Sequence, residues 1–412
     1  MAELTREQTR EGMPPRTRHS LPPALTIALV YLAARAVTLG FLVLAATLSA
    51  EGTRFGAGAS VQDLAVGWDA QWYWYLAVNG YPTELPLTDT GAVAENQWAF
   101  MPIYAYLAAA LAPLVGGWWG VAAVLISLAA GYGATYVLYR MLRGRIGGNA
   151  AVWAAAFFAT GPLAALFQVG YAEALFLLWL FLALWAVSAR RYGWVYPLVI
   201  LMGYTRPGVL AFALFLGLFG IFRFFSRARE PLRVVEVVHI VALGALATVV
   251  GFSWQLIAAV VTGDPGAYLA TELAWRRNWL LDDEGRFIPF DAFVRGAAFW
   301  GQTWGWGAVG GIILLVVLVV GVAAALLWAP PVRALGPEIR LWSVSYVVYL
   351  LAVFFPQSSI FRLLVPLSPL WGAFAVPRSL LWRVGVLLAC LAGQWWWIYN
   401  MYALGNRFWQ IP

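Results

Sequence analysis

Long apolar stretches recur along the whole chain with short polar turns between them, and most reach the roughly 17 to 25 residues that cross about 30 Å of hydrocarbon. They run Pro23 to Ser49, Gly117 to Arg140, Asn149 to Leu166, Tyr171 to Ser188, Tyr192 to Tyr204, Gly208 to Phe225, Val237 to Thr262, Val309 to Trp328, Leu341 to Phe355, Leu363 to Val376 and Val384 to Leu404. The pattern predicts an all-α polytopic membrane protein of about eleven crossings. The alternating ten-residue strands of a membrane barrel are absent, and a helix satisfies its own backbone hydrogen bonds in lipid. Trp98 to Val115 is a twelfth apolar stretch. Counting it as a crossing would invert everything after it, so it reads as a re-entrant or interfacial helix.

Charge fixes the orientation. With that choice 17 of the 26 basic residues, all arginine, fall on one side: those in the 1–22 tail, 140–145, 190–191, 223–233, 333, 340, 378 and 383. This is the positive-inside pattern, so the N-terminus is expected in the cytoplasm and the C-terminus outside. The net charge of +7 on a chain that is 62% hydrophobic and 11% charged therefore encodes topology, not nucleic-acid binding. Residues 23–412 read as one transmembrane domain, and the first span, preceded by four arginines, as an uncleaved anchor. The absence of lysine suits a GC-rich bacterial coding sequence, making the plasma membrane the expected location.

Two outer loops are long, 50–116 and 263–307, and loops of that length usually do something. The first contains Gly-Trp68-Asp69-Ala-Gln-Trp72-Tyr73-Trp-Tyr, an acid among rings on an expected interfacial helix, with Glu95 further on. Spacing leaves Asp69 two roles, a helix cap or a general base. Glu173 begins a span, where a carboxylate suits the helix N-terminus whether or not it also binds. Arg35 lies inside the first span, a costly charge that calls for carbonyls or a carboxylate. His239 reads as a satisfied helix-end residue. Cys390 is alone, so internal disulfides are excluded; no zinc spacing, phosphate loop or dinucleotide fingerprint is present, and the adjacent acids Asp282, Asp283 and Glu284 do not make a metal site. No cofactor or metal is expected.

A resemblance enters at these residues. Trp68-Asp69-Ala70, Asn79-Gly80-Tyr81 and Gln97 to Tyr104 resemble the first luminal loop of the PIG-V family, mannosyltransferases of glycosylphosphatidylinositol synthesis with bacterial relatives. Thr160-Gly161-Pro162, Gly170 to Phe176 and Phe361 to Leu367 resemble later family stretches. The resemblance implies the C-type integral-membrane glycosyltransferase (GT-C) fold and transfer of mannose from polyprenyl-phosphate mannose to an extracytoplasmic lipid-linked or glycan acceptor. It implies Asp69 as general base of an inverting reaction. The family often has His or Glu where this chain reads Gln71-Trp72, and Ser at Ala172, so the acceptor is less defined than the reaction.

A phosphodiester donor needs cations, and Arg206 and Arg362 are outer arginines suited to two-point phosphate contact. Arg276 and Arg277 are expected to pair with the acidic run near 283. Trp68, Trp72, Tyr73, Glu95, Gln168, Tyr171, Glu173 and Gln357 complete the candidate substrate contacts. The rival readings are a lipid or sugar transporter or flippase, expected to show duplicated halves, a non-catalytic assembly subunit with the same fold, and a transferase for another sugar.

Overall fold

The computed structural model describes residues 21–277, 287–356 and 358–405. The N-terminal tail, the acidic run at 282–284 and Gln357 lie outside the described residues. Within them the chain is helical, its one β feature an isolated bridge between Leu87 and Val93.

The first half runs α1 (Pro23–Leu48), α2 (Val61–Ala65), α3 (Asp69–Asn79), α4 (Pro102–Leu111), α5 (Trp119–Ile146), α6 (Gly148–Thr160), α7 (Glu173–Ser188), α8 (Val195–Gly203) and α9 (Val209–Ser226). The second runs α10 (Val234–Thr262), α11 (Ala267–Arg277), α12 (Asp291–Thr303), α13 (Gly307–Trp328), α14 (Pro330–Arg333), α15 (Pro337–Val353), α16 (Ile360–Leu363), α17 (Trp371–Ala375) and α18 (Leu380–Ile398). Proline opens α1, α4, α14 and α15, where its missing N–H costs nothing. Among the described residues six helices are long and apolar enough to cross a membrane: α1, α5, α9, α10, α13 and the stretch Leu380–Leu404. Shorter apolar helices stand beside them.

Two segments differ from the hydropathy pattern. Asn149 to Leu166 is not one helix: α6 stops at Thr160 before Gly161-Pro162, and a 3-10 turn follows at Ala164–Phe167. Leu363 to Val376 is likewise broken, into the 3-10 stretch Val365–Leu370 and α17, because Pro366 and Pro369 remove backbone donors. Trp98 to Val115, expected to be re-entrant or interfacial, holds the ten residues of α4 between two 3-10 turns, and ten helical residues span about 15 Å, half the hydrocarbon.

The bundle centre is α5, α6 and α7, where Ala122, Ala130, Ala134, Ala151, Ala154 and Ala183 are buried. Small residues let backbones approach, the packing that lipid allows. Arg35 of α1 enters this centre and donates to the carbonyls of Ala159 and Ala164, 2.5 Å each. It thereby satisfies the oxygens freed where α6 breaks.

At the end carrying the long loops, the two loops hold each other. Asn96 Nδ2 donates to Thr271 Oγ1 at 2.9 Å, Arg277 donates to the Val93 carbonyl, and Trp254 Nε1 donates to the Trp98 carbonyl at 3.0 Å. The pairing of Arg277 is thus with backbone, while the acidic run expected to hold it lies outside the described residues. The opposite end is tied by Arg145–Glu338 (2.6 Å), Arg190–Glu230 (2.7 Å) and Arg223–Glu236 (3.0 Å). His239 sits there, its Nδ1 3.0 Å from the Tyr196 hydroxyl.

Candidate functional site

Asp69 is the first residue of α3, and the backbone just before it is strained. Trp68 has φ 53°, a left-handed value rare for a bulky side chain. Its indole explains why the conformation persists: Nε1 donates to the Met401 carbonyl at 2.9 Å, and the Arg54 guanidinium lies over the ring at 4.9 Å. Met401 belongs to a wide π-turn, Tyr399–Leu404, that extends α18. The C-terminal turn therefore grips the residue that aims Asp69.

Four charged side chains from four separate elements meet there. Arg362, on the single turn of α16, pairs through Nη1 with Asp69 Oδ2. Its Nε is 3.5 Å from Glu173 Oε1, and Arg206 Nη1 pairs with the same oxygen. Glu173 begins α7; Arg206 sits in the turn before α9, where Gly208 has φ 142°. Tyr171 lies under the Arg362 guanidinium at 5.5 Å, and its hydroxyl accepts from the Asp69 N–H at 3.4 Å. Two carboxylates and two guanidiniums thus neutralise one another, with Glu173, Arg206 and Arg362 largely buried.

Burial sets the electrostatics. It pushes the Asp69 carboxyl above the usual range, more than the neighbouring Arg362 pulls it down, and Glu173 adds to the rise. The Arg362 guanidinium is held charged by Asp69 and Glu173 in spite of its burial. The space beside Glu173, Arg206, Tyr346 and Arg362 is small, about 10 Å³, enough for roughly one water.

A much larger cavity, about 1340 Å³, borders α3 and is lined by Gln71, Trp72, Glu95 and Gln168 among others. The sequence candidates therefore divide. Asp69, Tyr171, Glu173, Arg206 and Arg362 form the charged cluster; Trp72, Glu95 and Gln168 border the large cavity; Gln357 lies outside the described residues. Trp68 is an anchor between α3 and the C-terminal turn. Tyr73 faces inward, edge-on to Phe100 and Tyr104 with centroids 5.1 Å away, and its burial raises its hydroxyl pKa.

Sequence reasoning missed Arg54, Gln62, Gln97 and the π-turn as parts of this region. Only Gln97 gave a signal, inside the stretch that resembles the PIG-V loop. Arg276, an outer arginine, is buried, its guanidinium 6.0 Å from the Phe355 ring centre.

No protein-family model matches this chain, and no curated protein matches it. Among solved structures it is similar to ArnT from Cupriavidus metallidurans, solved bound to undecaprenyl phosphate, at 14% identity over 88% of this chain and a TM-score of 0.49. It is also similar to two structures of the oligosaccharyltransferase of Archaeoglobus fulgidus. One, with zinc and sulfate, shares 15% identity over 93% of this chain at TM-score 0.46. The other, AglB with an inhibitory peptide and a dolichol-phosphate, shares 12% over 92% at TM-score 0.43. This chain spans 62%, 53% and 56% of those chains respectively.

Proposed function

We propose that this chain is a GT-C-type membrane glycosyltransferase, akin to the PIG-V family, that moves mannose from polyprenyl-phosphate mannose to an extracytoplasmic lipid-linked or glycan acceptor. One observation carries the reading: Asp69, Glu173, Arg206 and Arg362, each singled out from a different part of the sequence, converge on one cluster. Helix capping alone gives Asp69 no reason to meet an arginine from α16.

In this reading the N-terminus is cytoplasmic and the cluster lies at the outer face. Asp69 takes the proton of the acceptor hydroxyl as that oxygen attacks the anomeric carbon, and the phosphate leaves from the opposite side as an anion, inverting the centre. Arg362 and Arg206 stabilise the growing phosphate charge. The space beside them does not admit a phosphodiester as it stands, so donor binding displaces their side chains. The phosphate then takes the guanidinium of Arg362, and the Asp69 carboxylate is released toward the hydroxyl. Its raised pKa makes it a better proton acceptor than an ordinary aspartate while water is excluded.

The test is incubation of the purified protein with radiolabelled polyprenyl-phosphate mannose and a membrane lipid extract, comparing wild type with Asp69→Asn. Transfer by wild type and its loss in a folded variant support the proposal. Equal turnover by the two proteins overturns the assignment of the base.

A further inference from the structure

We infer that the large cavity beside α3 is the acceptor's site and that it selects a lipid whose headgroup is uncharged and rich in hydroxyls. The role as acceptor rests on the transferase reading above; the chemical class does not. The cavity, at about 1340 Å³, exceeds the usual 300 to 1,000 Å³ of a small-molecule pocket.

Its lining changes character along its length. One part is apolar, with Leu39 and Leu42 from α1 and Leu125 and Leu128 from α5. Both helices are long enough to cross the membrane. Leu39 lies about nine residues below the loop end of α1, and Leu128 about as far below that of α5, a depth of roughly 13 Å at 1.5 Å per residue. That is close to half of the ~30 Å hydrocarbon, the reach of one leaflet's tails. A soluble sugar has no use for such a slot.

The other part is an amide rim: Gln62, Gln71, Gln97 and Gln168. A primary amide both donates and accepts, so four of them match a head carrying many hydroxyls. The Gln168 side-chain oxygen is buried without a hydrogen-bond partner, a costly state that a donating hydroxyl would relieve once the amide turns toward the cavity. Charge argues against an anionic head. Among the described residues Arg54 is the single cation lining the cavity; it already donates to Gln71 Oε1 at 2.7 Å and covers Trp68, and Glu95 also lines the cavity. The paired arginines that suit a phosphate are in the other cluster. Trp72, part of the lining, stands one helical turn after Asp69 on the same face of α3, so a head held beside Trp72 is about one turn from the carboxylate.

The test uses the full chain in phosphatidylcholine nanodiscs, with glycoside detergents removed because their heads are themselves polyols. The probe is decyl mannoside carrying a diazirine at the end of its tail, with the labelled peptides read by mass spectrometry. Labelling is expected on 39–42 of α1 or 121–128 of α5. Excess decyl mannoside should suppress it, whereas decyl phosphate and free mannose should not. Gln71→Leu and Gln168→Leu should each cut labelling about fivefold, one hydrogen bond's worth. Leu125→Trp, which fills the apolar slot without touching the rim, should abolish it in protein that elutes as wild type.

Labelling elsewhere, equal competition by decyl phosphate, or labelling indifferent to all three substitutions overturns the inference. No donor is present and no turnover is read, so Asp69→Asn must still label. Labelling without any mannosyl transfer would sink the transferase reading and leave the lipid site standing; transfer without labelling would do the reverse.

Discussion

The two ends of this bundle hold the same kinds of groups and treat them in opposite ways. At the arginine-rich end, Arg190 and Arg223 pair with Glu230, a residue 55% exposed, and these pairings hold its carboxyl below the usual range. At the loop-bearing end, Arg362 pairs with Asp69 and burial still holds that carboxyl above it. In the first case water stabilises the carboxylate and the arginine adds to it. In the second the protein has removed the water, and the arginine repays only part of the loss. The first arrangement staples helix ends; the second, in the proposed reading, keeps a carboxylate ready to take a proton.

The largest expected difference is in turnover. Asp69→Asn should lower mannosyl transfer by about 10²- to 10⁴-fold, the usual worth of a general base, while Glu230→Gln should leave it within about twofold. A radiolabelled transfer assay on both variants reads the contrast. Comparable losses at the two ends would mean that the loop-end cluster acts through folding alone, and the comparison would break.

Stability should separate the ends next. Arg362→Ala leaves two buried carboxylates without their shared cation, and removing one partner of a buried pair typically costs about 3 to 5 kcal/mol. Some of that is recovered if Asp69 takes up a proton. Glu230→Ala removes a half-exposed partner while Glu236 still pairs with the buried Arg223, so about 0 to 1 kcal/mol is expected. Thermal unfolding of nanodisc-held protein measures both, and equal shifts would remove the distinction drawn from burial.

The pH dependences should carry opposite signs. A carboxyl raised in the folded state binds its proton more tightly there than in the unfolded chain, so Asp69 should make stability fall as pH rises from the unfolded carboxylate value through its folded one. Glu230 is lowered, so its contribution is present above the unfolded value and is lost as pH falls through the folded one. In the transfer assay the acid limb should lie above the ordinary aspartate value of about 3.9. Arg362→Gln, removing an influence that lowers the Asp69 pKa, should move the limb up; Glu173→Gln, removing one that raises it, should move it down. Rate against pH for the three proteins decides the matter.

How much of this was legible in the sequence follows the same physical divide. Hydropathy located the long helices, because lipid imposes one length and one polarity on whatever crosses it. It failed at 161–166 and 363–376, where apolar composition continues but Gly161, Pro162, Pro366 and Pro369 stop the helix. Composition cannot report a missing hydrogen bond. The four charges of the cluster were visible one at a time, since charge at the edge of an apolar run is conspicuous, yet their meeting was not, because Asp69 and Arg362 are joined only by the packing of helices far apart in sequence. Of the large cavity's glutamines Gln168 was a candidate and Gln97 lay in the resembling stretch, but Gln62 and Gln71 were not singled out as contacts, since an uncharged amide in a polar loop looks like any solvated residue.

The smallest expected effect probes how the loop end is held in place. Trp68 keeps a left-handed backbone that costs a bulky residue about 1 to 3 kcal/mol, and it does so because its indole is tied to the Met401 carbonyl. Trp68→Phe keeps an aromatic ring for Arg54 to cover but loses the donor, at a cost of about 1 kcal/mol. Nothing equivalent anchors Glu230, whose neighbours are solvent and arginine. If the anchor serves to aim Asp69, kcat for Trp68→Phe should fall severalfold with KM for the donor nearly unchanged and the acid limb displaced. A variant that is merely less stable would show wild-type kinetics below its melting temperature, and that result would reduce the π-turn of α18 to a packing element.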